Sequence, residues 1–572
     1  MRSNDQVAAA LARLALLTQL EEGSPQSFRT RAYERAVDAV RLLPEDVSAL
    51  GVPELRAIDG VGDSTARKIR EFVDTGHIQV LDELSAKYPE RFVAILQVPG
   101  VGPRTAITLR DELGIESVDQ LRDAVTAQRL RELPGFGAKT EEKIGRAIDR
   151  LGLAGKDRRL PIGKALRVAE AIVDRLASVD GVTAVRYCGS LRRFRDTIAD
   201  IDVLVVAEKS DPIVEAFVAD LSVRETLGAG AGGASVTTDD MQIDLRVVPL
   251  DQFGSASLYF TGSKAHNIAL RQRAIDRGWL LNEYGLMDGD TVVASATEEE
   301  IYRALDLDFI SPELREDVGE IEAAAEGSLP DLVRIEDIRG DLHVHSTWSG
   351  DGRSSLEDMI AAAAARGLEY IAITEHGEDL SINGLSQETV IEERVQIEEF
   401  RARYPDLLIL HGAELNIGRD GDVDYDTEFL AEFDWCVASV HSHFDLPSAR
   451  QTDRVIKAVA NPAINVIGHL TGRRIGRRPG IEIDFDAVLD AVADTGTALE
   501  INSHIDRLDV PADLLMRARH RDDVVFTIST DAHHTTEFAN IKWGVSNSRR
   551  GWIERSRVVN TLPRRDFLSW LG

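Results

Sequence analysis

Helix-favouring runs broken by glycine turns fill the first 150 residues, and the pattern of apolar positions changes twice after them. Residues 65–72, 105–113 and 140–148 read as helices, and each follows a Gly-hydrophobic-Gly turn: Gly60-Val61-Gly62, Gly100-Val101-Gly102 and Gly135-Phe136-Gly137. Residues 27–36 fit a further amphipathic helix with an arginine-rich face. From Val182 the chain reads as strand, turn, helix, strand; Asp200-Ile201-Asp202 opens one apolar strand and Asp244 lies inside another. Beyond residue 340, short apolar runs end again and again in histidine or carboxylate, and helical segments such as 356–366 and 485–494 alternate with them. Repeated strand-ligand-helix units describe a β/α barrel with its site at the carboxyl ends of the strands.

Each pattern carries its own chemistry. A helix, a tight glycine turn and a second helix make a helix-hairpin-helix, whose glycines permit positive φ and leave N–H groups at a helix start to meet a phosphate oxygen. One copy alone would be an ordinary helix cap. Three copies predict a unit that grips a nucleic-acid backbone without reading its sequence. In the middle of the chain, residues two apart on a strand point to one side, so Asp200 and Asp202 present two carboxylates together. With Asp244, nearby arginines and the Gly189-Ser190 turn, they suit two hard cations and a polyphosphate. In the last third, the strand ends carry His343 and His345, His376, Glu414, His441, His469, and Asp531 with His533. Imidazole and carboxylate without thiolate suit Mn²⁺, Zn²⁺ or Fe²⁺ in hydrolytic service.

Composition sharpens this picture. A chain of 572 residues exceeds what one core supports, and 43% hydrophobic content gives it the means to bury several. The two cysteines, Cys188 and Cys436, stand far apart and exclude a disulfide framework or zinc-thiolate site. No run of eighteen apolar residues predicts a membrane span, so a soluble, cytoplasmic protein without membrane partners is expected. The net charge of −31 would repel DNA, but residues 1–160 hold 24 Lys+Arg against 25 Asp+Glu. Only ten of the 66 basic residues are lysine, an acidic, lysine-poor balance that predicts adaptation to concentrated salt.

The central motifs resemble those of family X DNA polymerases: Gly189-Ser190-x-Arg-Arg193, Asp200-x-Asp202, Asp244-x-Arg246, Tyr259-Phe260-Thr261-Gly262-Ser263-x-x-x-Asn267 and Leu281-Asn282-Glu283-Tyr284. The resemblance runs over residues 1–318. It implies that Asp200, Asp202 and Asp244 hold two catalytic Mg²⁺ or Mn²⁺ ions. Ser190, Arg193 and Arg159 would hold the triphosphate of a deoxynucleotide, with Gly189 forming the turn. Tyr259, Phe260, Gly262 and Asn267 would line the nucleotide and primer-terminus pocket. Two departures stand out: Ala199 replaces the usual glycine, and Phe194-Arg195 replace the usual small or lysine residues. Lys68 occupies the position where lyase-competent relatives carry a Schiff-base lysine, with Arg67 and a helix start to lower its pKa. A phosphate-contacting role for Lys68 stays open beside that one.

Residues 339–572 resemble the PHP (polymerase and histidinol phosphatase) domain. The resemblance places metal ligands at His343, His345, Asp351, His376, Glu414, His441, His469, Asp531 and His533, enough for up to three ions, although Ser349-Gly350-Asp351-Gly352 has one residue more than the usual Ser-Asp-Gly. The expected order is a lyase-like helical domain with the first helix-hairpin-helix (1–85), a fingers-like helical domain with two more (86–155), an α/β nucleotidyltransferase palm (156–250), a thumb (251–318), a linker (319–338) and a distorted β/α PHP barrel (339–572). The activity implied is short-gap filling on gapped or primed double-stranded DNA in base excision repair, by a monomer, joined to a metal-dependent 3′–5′ exonuclease or phosphoesterase. Two alternatives are a polymerase whose barrel is only a scaffold and a non-catalytic DNA-end binder.

Overall fold

The structure is a computed structural model that describes residues 4–572 apart from 25–26, 43–46, 59, 99, 134, 152–158, 221, 231, 239–240 and 381–382. The boundary expected at 155 and the repeat residues Asp59, Pro99 and Pro134 lie outside the described residues. The chain forms two compact units, Met1–Arg158 with Gly476–Pro479, and Arg159–Ile475 with Gly480–Gly572.

The first unit is helical. The helices expected at 65–72, 105–113 and 140–148 span Asp63–Thr75, Pro103–Leu113 and Ala138–Leu151. Long apolar stripes bury against one another, and the first helix, Asn4–Glu22, supplies Leu11 to one core and Leu17 and Leu20 to another. The two expected helical domains are thus stitched by a shared helix. In every repeat the first glycine is left-handed, with φ of 85°, 91° and 87° at Gly60, Gly100 and Gly135. Gly62 and Gly102 are helix caps that offer no side-chain acceptor, so the N–H groups of the first turn face outward from a glycine surface.

In the second unit, a five-stranded sheet runs in the order Val182–Tyr187, Asp200–Ala207, Gln242–Val248, Gly233–Thr237, Glu225–Gly230. Its two central strands are parallel, and the helices Ile162–Ala177 and Asp211–Val218 bury apolar faces in the same core. The thumb region follows: helices Phe253–Thr261 and Lys264–Ile275, a three-stranded antiparallel sheet and helix Glu298–Ala304. The segment expected as a linker at 319–338 is folded instead. It forms the helix Glu320–Glu326, and Ile321, Ala324 and Leu332 enter the thumb core. Glu320 is wholly buried against His266 Nδ1 at 2.6 Å, a contact that a Gly-Ser-Pro composition does not advertise.

The barrel has seven parallel strands in sequence order: Gly340–Val344, Tyr370–His376, Leu408–Asn416, Trp435–Ser439, Val466–Gly468, Ala498–Asn502 and Phe526–Ser529. A parallel bridge between Val344 and Ala532 returns the last strand's end to the first, with His345 N–H donating to Ala532 O at 2.8 Å. Parallel strands need crossovers, and the intervening helices begin at Ser355, Ser386 and Asp484, whose side chains accept from the first-turn N–H groups. Trp435 closes the floor, donating to Leu342 O at 2.9 Å, while Tyr370 stacks on Phe567.

Candidate active sites

In the palm, register does the positioning. The two parallel strands pair Asp202 directly with Asp244, and Asp200 lies two residues earlier on the same face. Gly189 sits above them with φ of 62°, and a Cβ there would run into the Asp202 carboxylate, so only glycine closes this turn. Burial, then Asp200 and Asp244, push the Asp202 carboxyl up to about 7, with Arg193 and Arg246 opposing. Carboxylates this close repel one another, and a divalent cation bound among them would relieve that repulsion. Tyr259 and Phe260 meet edge to face at 5.1 Å, Asn267 Nδ2 donates to Tyr259 O at 2.8 Å, and Arg246 lies 5.9 Å over Phe260. The acids, the Gly189-Ser190 turn and the aromatic motif therefore share one neighbourhood. Arg193 donates to Thr261 O and to Glu316 at 3.1 Å, beside Gly262. Arg159 donates to Thr197 Oγ1 at 3.0 Å and Thr197 O at 2.6 Å, three residues before Asp200, and braces the short pairing of Leu160 with Ile198. The sequence reading missed Glu298, a buried carboxylate bound by Arg192 at 2.6 Å and Arg315 at 2.6 Å. Burial would raise its pKa, but those two guanidiniums hold it down to about 2.

In the first unit, Lys68 Nζ lies 2.8 Å from Ser64 Oγ and 5.8 Å from the Tyr33 ring centroid. Its pKa is lowered by burial and by Arg29. The expected contribution of Arg67 is absent because that guanidinium is paired with Asp63 at 2.8 Å.

In the barrel, all nine expected ligands converge. Glu414 is the hub: His469 Nε2 at 2.7 Å, His376 Nδ1 at 2.8 Å, His441 Nε2 at 3.1 Å, His343 Nε2 at 3.5 Å and His345 Nε2 at 3.6 Å. Asp531 approaches His345 at 3.5 Å, and Asp351, despite the extra residue in its loop, lies 3.2 Å from His376 and 3.5 Å from His533. Among the described residues, the triads whose ligand atoms all lie within 4.8 Å are His345-His376-His533, His343-His345-Glu414 and His376-Glu414-His441. The palm acids are register neighbours and not such a closed triad. His343 Nε2, His345 Nε2 and Glu414 Oε2 are buried with no hydrogen-bond partner, so the donor set fits metal ions that would take those lone pairs. Despite burial, Glu500, Glu414 and Asp531 raise His343 well above its ordinary pKa, and His376 reaches about 10. Glu414 is held well below its ordinary value, against burial, chiefly by His441, His343 and His376.

An outer ring orients these ligands. His343 Nδ1 meets Glu500 at 2.7 Å, His441 Nδ1 meets Asn416 Oδ1 at 2.7 Å, and Asn502 donates to Asp531 at 3.1 Å. Glu500, Asn502 and His504 come from a seventh strand end that the sequence reading passed over, although Ala498-Leu-Glu500-Ile-Asn502 repeats the same apolar-then-ligand pattern. Arg353, Arg474, His504 and Arg507 line the cleft above the ligands, about 300 Å³ in volume. His411 and His534 point elsewhere, to Arg394 at 3.2 Å and Thr536 at 2.9 Å.

Comparison with known proteins gives four family matches: a helix-hairpin-helix domain at residues 2–78, a SAM-like helix-hairpin-helix tandem at 92–149, the DNA polymerase beta thumb at 256–316 and the PHP domain at 341–504. The chain is 35% identical over 565 residues to a DNA polymerase/3′-5′ exonuclease PolX of Bacillus subtilis, covering 98% of this chain and 97% of that one. DNA polymerase lambda of Rattus norvegicus is 26% identical over 345 residues, 53% of this chain and 55% of its own. A probable phosphatase of Syntrophotalea carbinolica is 31% identical over 234 residues, 38% of this chain and 90% of its own.

Proposed function

Since the chain belongs to the family X DNA polymerases that carry a PHP domain, we propose that it extends primer 3′ ends across short gaps in double-stranded DNA and trims 3′ ends in its barrel, acting in base excision repair. The pairing of Asp202 with Asp244 beneath the Gly189 turn carries the polymerase reading. Asp200, Asp202 and Asp244 would hold two Mg²⁺ or Mn²⁺ ions; when bound, these supply Lewis acidity toward the primer hydroxyl and the phosphates. Ser190 and Arg193 hold the triphosphate, while Tyr259, Phe260 and Asn267 bound the nucleotide. The hairpin glycines grip the DNA backbone, in the part of the chain where acid and base nearly balance. Arg159, held against Thr197, stands with Ser190 and Arg193 as a further contact for the triphosphate.

The nine barrel ligands would hold Mn²⁺, Zn²⁺ or Fe²⁺, up to three ions. Arg353, Arg474 and Arg507 draw a phosphodiester into the cleft. A barrel kept only as a scaffold would not need the full ligand set, and its presence favours hydrolysis. Lys68 serves as lyase nucleophile or phosphate contact, which borohydride trapping on abasic DNA separates. The decisive experiment is a labelled gapped duplex incubated with and without deoxynucleotides in Mg²⁺ and in Mn²⁺. Extension with nucleotides and shortening without them is the expected result; neither would overturn the reading.

A further inference from the structure

Phe194, directly after Arg193, stands in the left-handed region with φ of 57°, a conformation that aromatic residues rarely adopt. What holds it there comes from the barrel. Its ring stacks on Trp543 with centroids 5.7 Å apart and planes 15° from parallel, and its carbonyl accepts from Arg550 at 3.2 Å. Two residues on, Asp196 accepts from Arg473 at 2.7 Å and lies 3.4 Å from Arg550.

Arg473 is itself rigidly held. It donates to Arg507 O at 2.6 Å and Leu508 O at 2.5 Å. Its N–H and that of Thr471 both reach Asp509, at 3.3 and 3.0 Å, just after the ligand His469. Below this clamp, Ile475 and Leu508 belong to the palm's own hydrophobic core.

We propose that Trp543, Arg550 and Arg473 of the barrel are positioning residues for nucleotide addition, fixing the Gly189–Asp196 turn so that Ser190 and Arg193 meet the triphosphate. The inference rests on the nucleotide role given above to Arg193. The departure at Phe194-Arg195 then has a purpose: the turn is built to be held from outside. A stacked aromatic pair and two guanidiniums need no motion in the barrel to act.

The test uses the full chain in single-nucleotide gap filling, with nucleotide KM and kcat measured separately and 3′-end removal as the second readout. Trp543→Ala should raise nucleotide KM about three- to tenfold, the range an aromatic pair supports, with kcat and 3′-end removal within twofold of the unaltered protein. Trp543→Phe should restore KM. Phe194→Ala should raise KM similarly, and Phe194→Ala with Trp543→Ala should add little to either. Unchanged KM in Trp543→Ala and Asp196→Asn, while Arg193→Ala raises it, would overturn the brace alone. Unchanged KM in Arg193→Ala would overturn the nucleotide reading itself. Loss of both activities in Trp543→Ala with rescue absent in Trp543→Phe would show a folding role and likewise overturn the proposal.

Discussion

Asp202 is protonated at neutral pH to an extent that an isolated aspartate is not, because its pKa rises from 3.8 to about 7. With a raised pKa the folded protein takes up a proton between those values. Its contribution therefore turns against folding as pH rises through that window, and is fully unfavourable above 7. A cation at the site reverses this. Divalent-ion binding to the palm should release close to one proton at pH 6 and none at pH 8, read by calorimetry in buffers of different ionisation enthalpy, with Asp202→Asn abolishing the difference. Asp244→Asn should cut nucleotide addition by about a hundredfold or more and leave gapped-DNA affinity unchanged in a mobility-shift titration. In the barrel, Glu500→Gln weakens the partner of His343 without touching the cleft. Bound metal affinity and 3′-end removal should fall about ten- to hundredfold, while extension stays intact.

Elements built from local periodicity were legible; the contacts between them were not. The three hairpin turns, the acid-bearing strands and six of the seven barrel strand ends announce themselves because strand alternation and glycine turns are local signals. Asp351 joins its cluster across a loop whose length obscures the match, and Glu500 hides in a strand whose polar tip is shared between two roles. Glu298 and Glu320 could not be read at all, since an exposed-looking Glu-Glu-Glu helix start and a linker-like stretch become core only when Arg315 and His266 arrive from elsewhere. Glu298→Gln should accordingly cost about 3 kcal/mol or more, as for a broken buried ion pair, read as a lower midpoint in urea. At the turns, replacing Gly100 and Gly102 with valine should weaken binding to all DNA sequences equally, tested on unrelated duplexes, since only phosphate is addressed.

At the scale of the molecule, the palm acids and the barrel ligands belong to separate substructures of one compact unit. Asp200→Ala with Asp202→Ala should abolish extension and preserve 3′-end removal; His343→Ala with His345→Ala should do the reverse, because neither histidine touches the clamp on Asp196. With its acidic, lysine-poor composition, gap filling measured across a salt series should persist above about 0.2 M, where the screening length falls below about 8 Å. Ile475 and Leu508 have a longer reach than either prediction. A palm that shares part of its hydrophobic interior with the barrel should lose stability when the barrel is removed. Descendants that lose the barrel's ligands one by one would give up hydrolysis, yet the barrel's fold would stay under selection through those two side chains. Decay of chemistry and retention of sequence can then proceed side by side in the same gene.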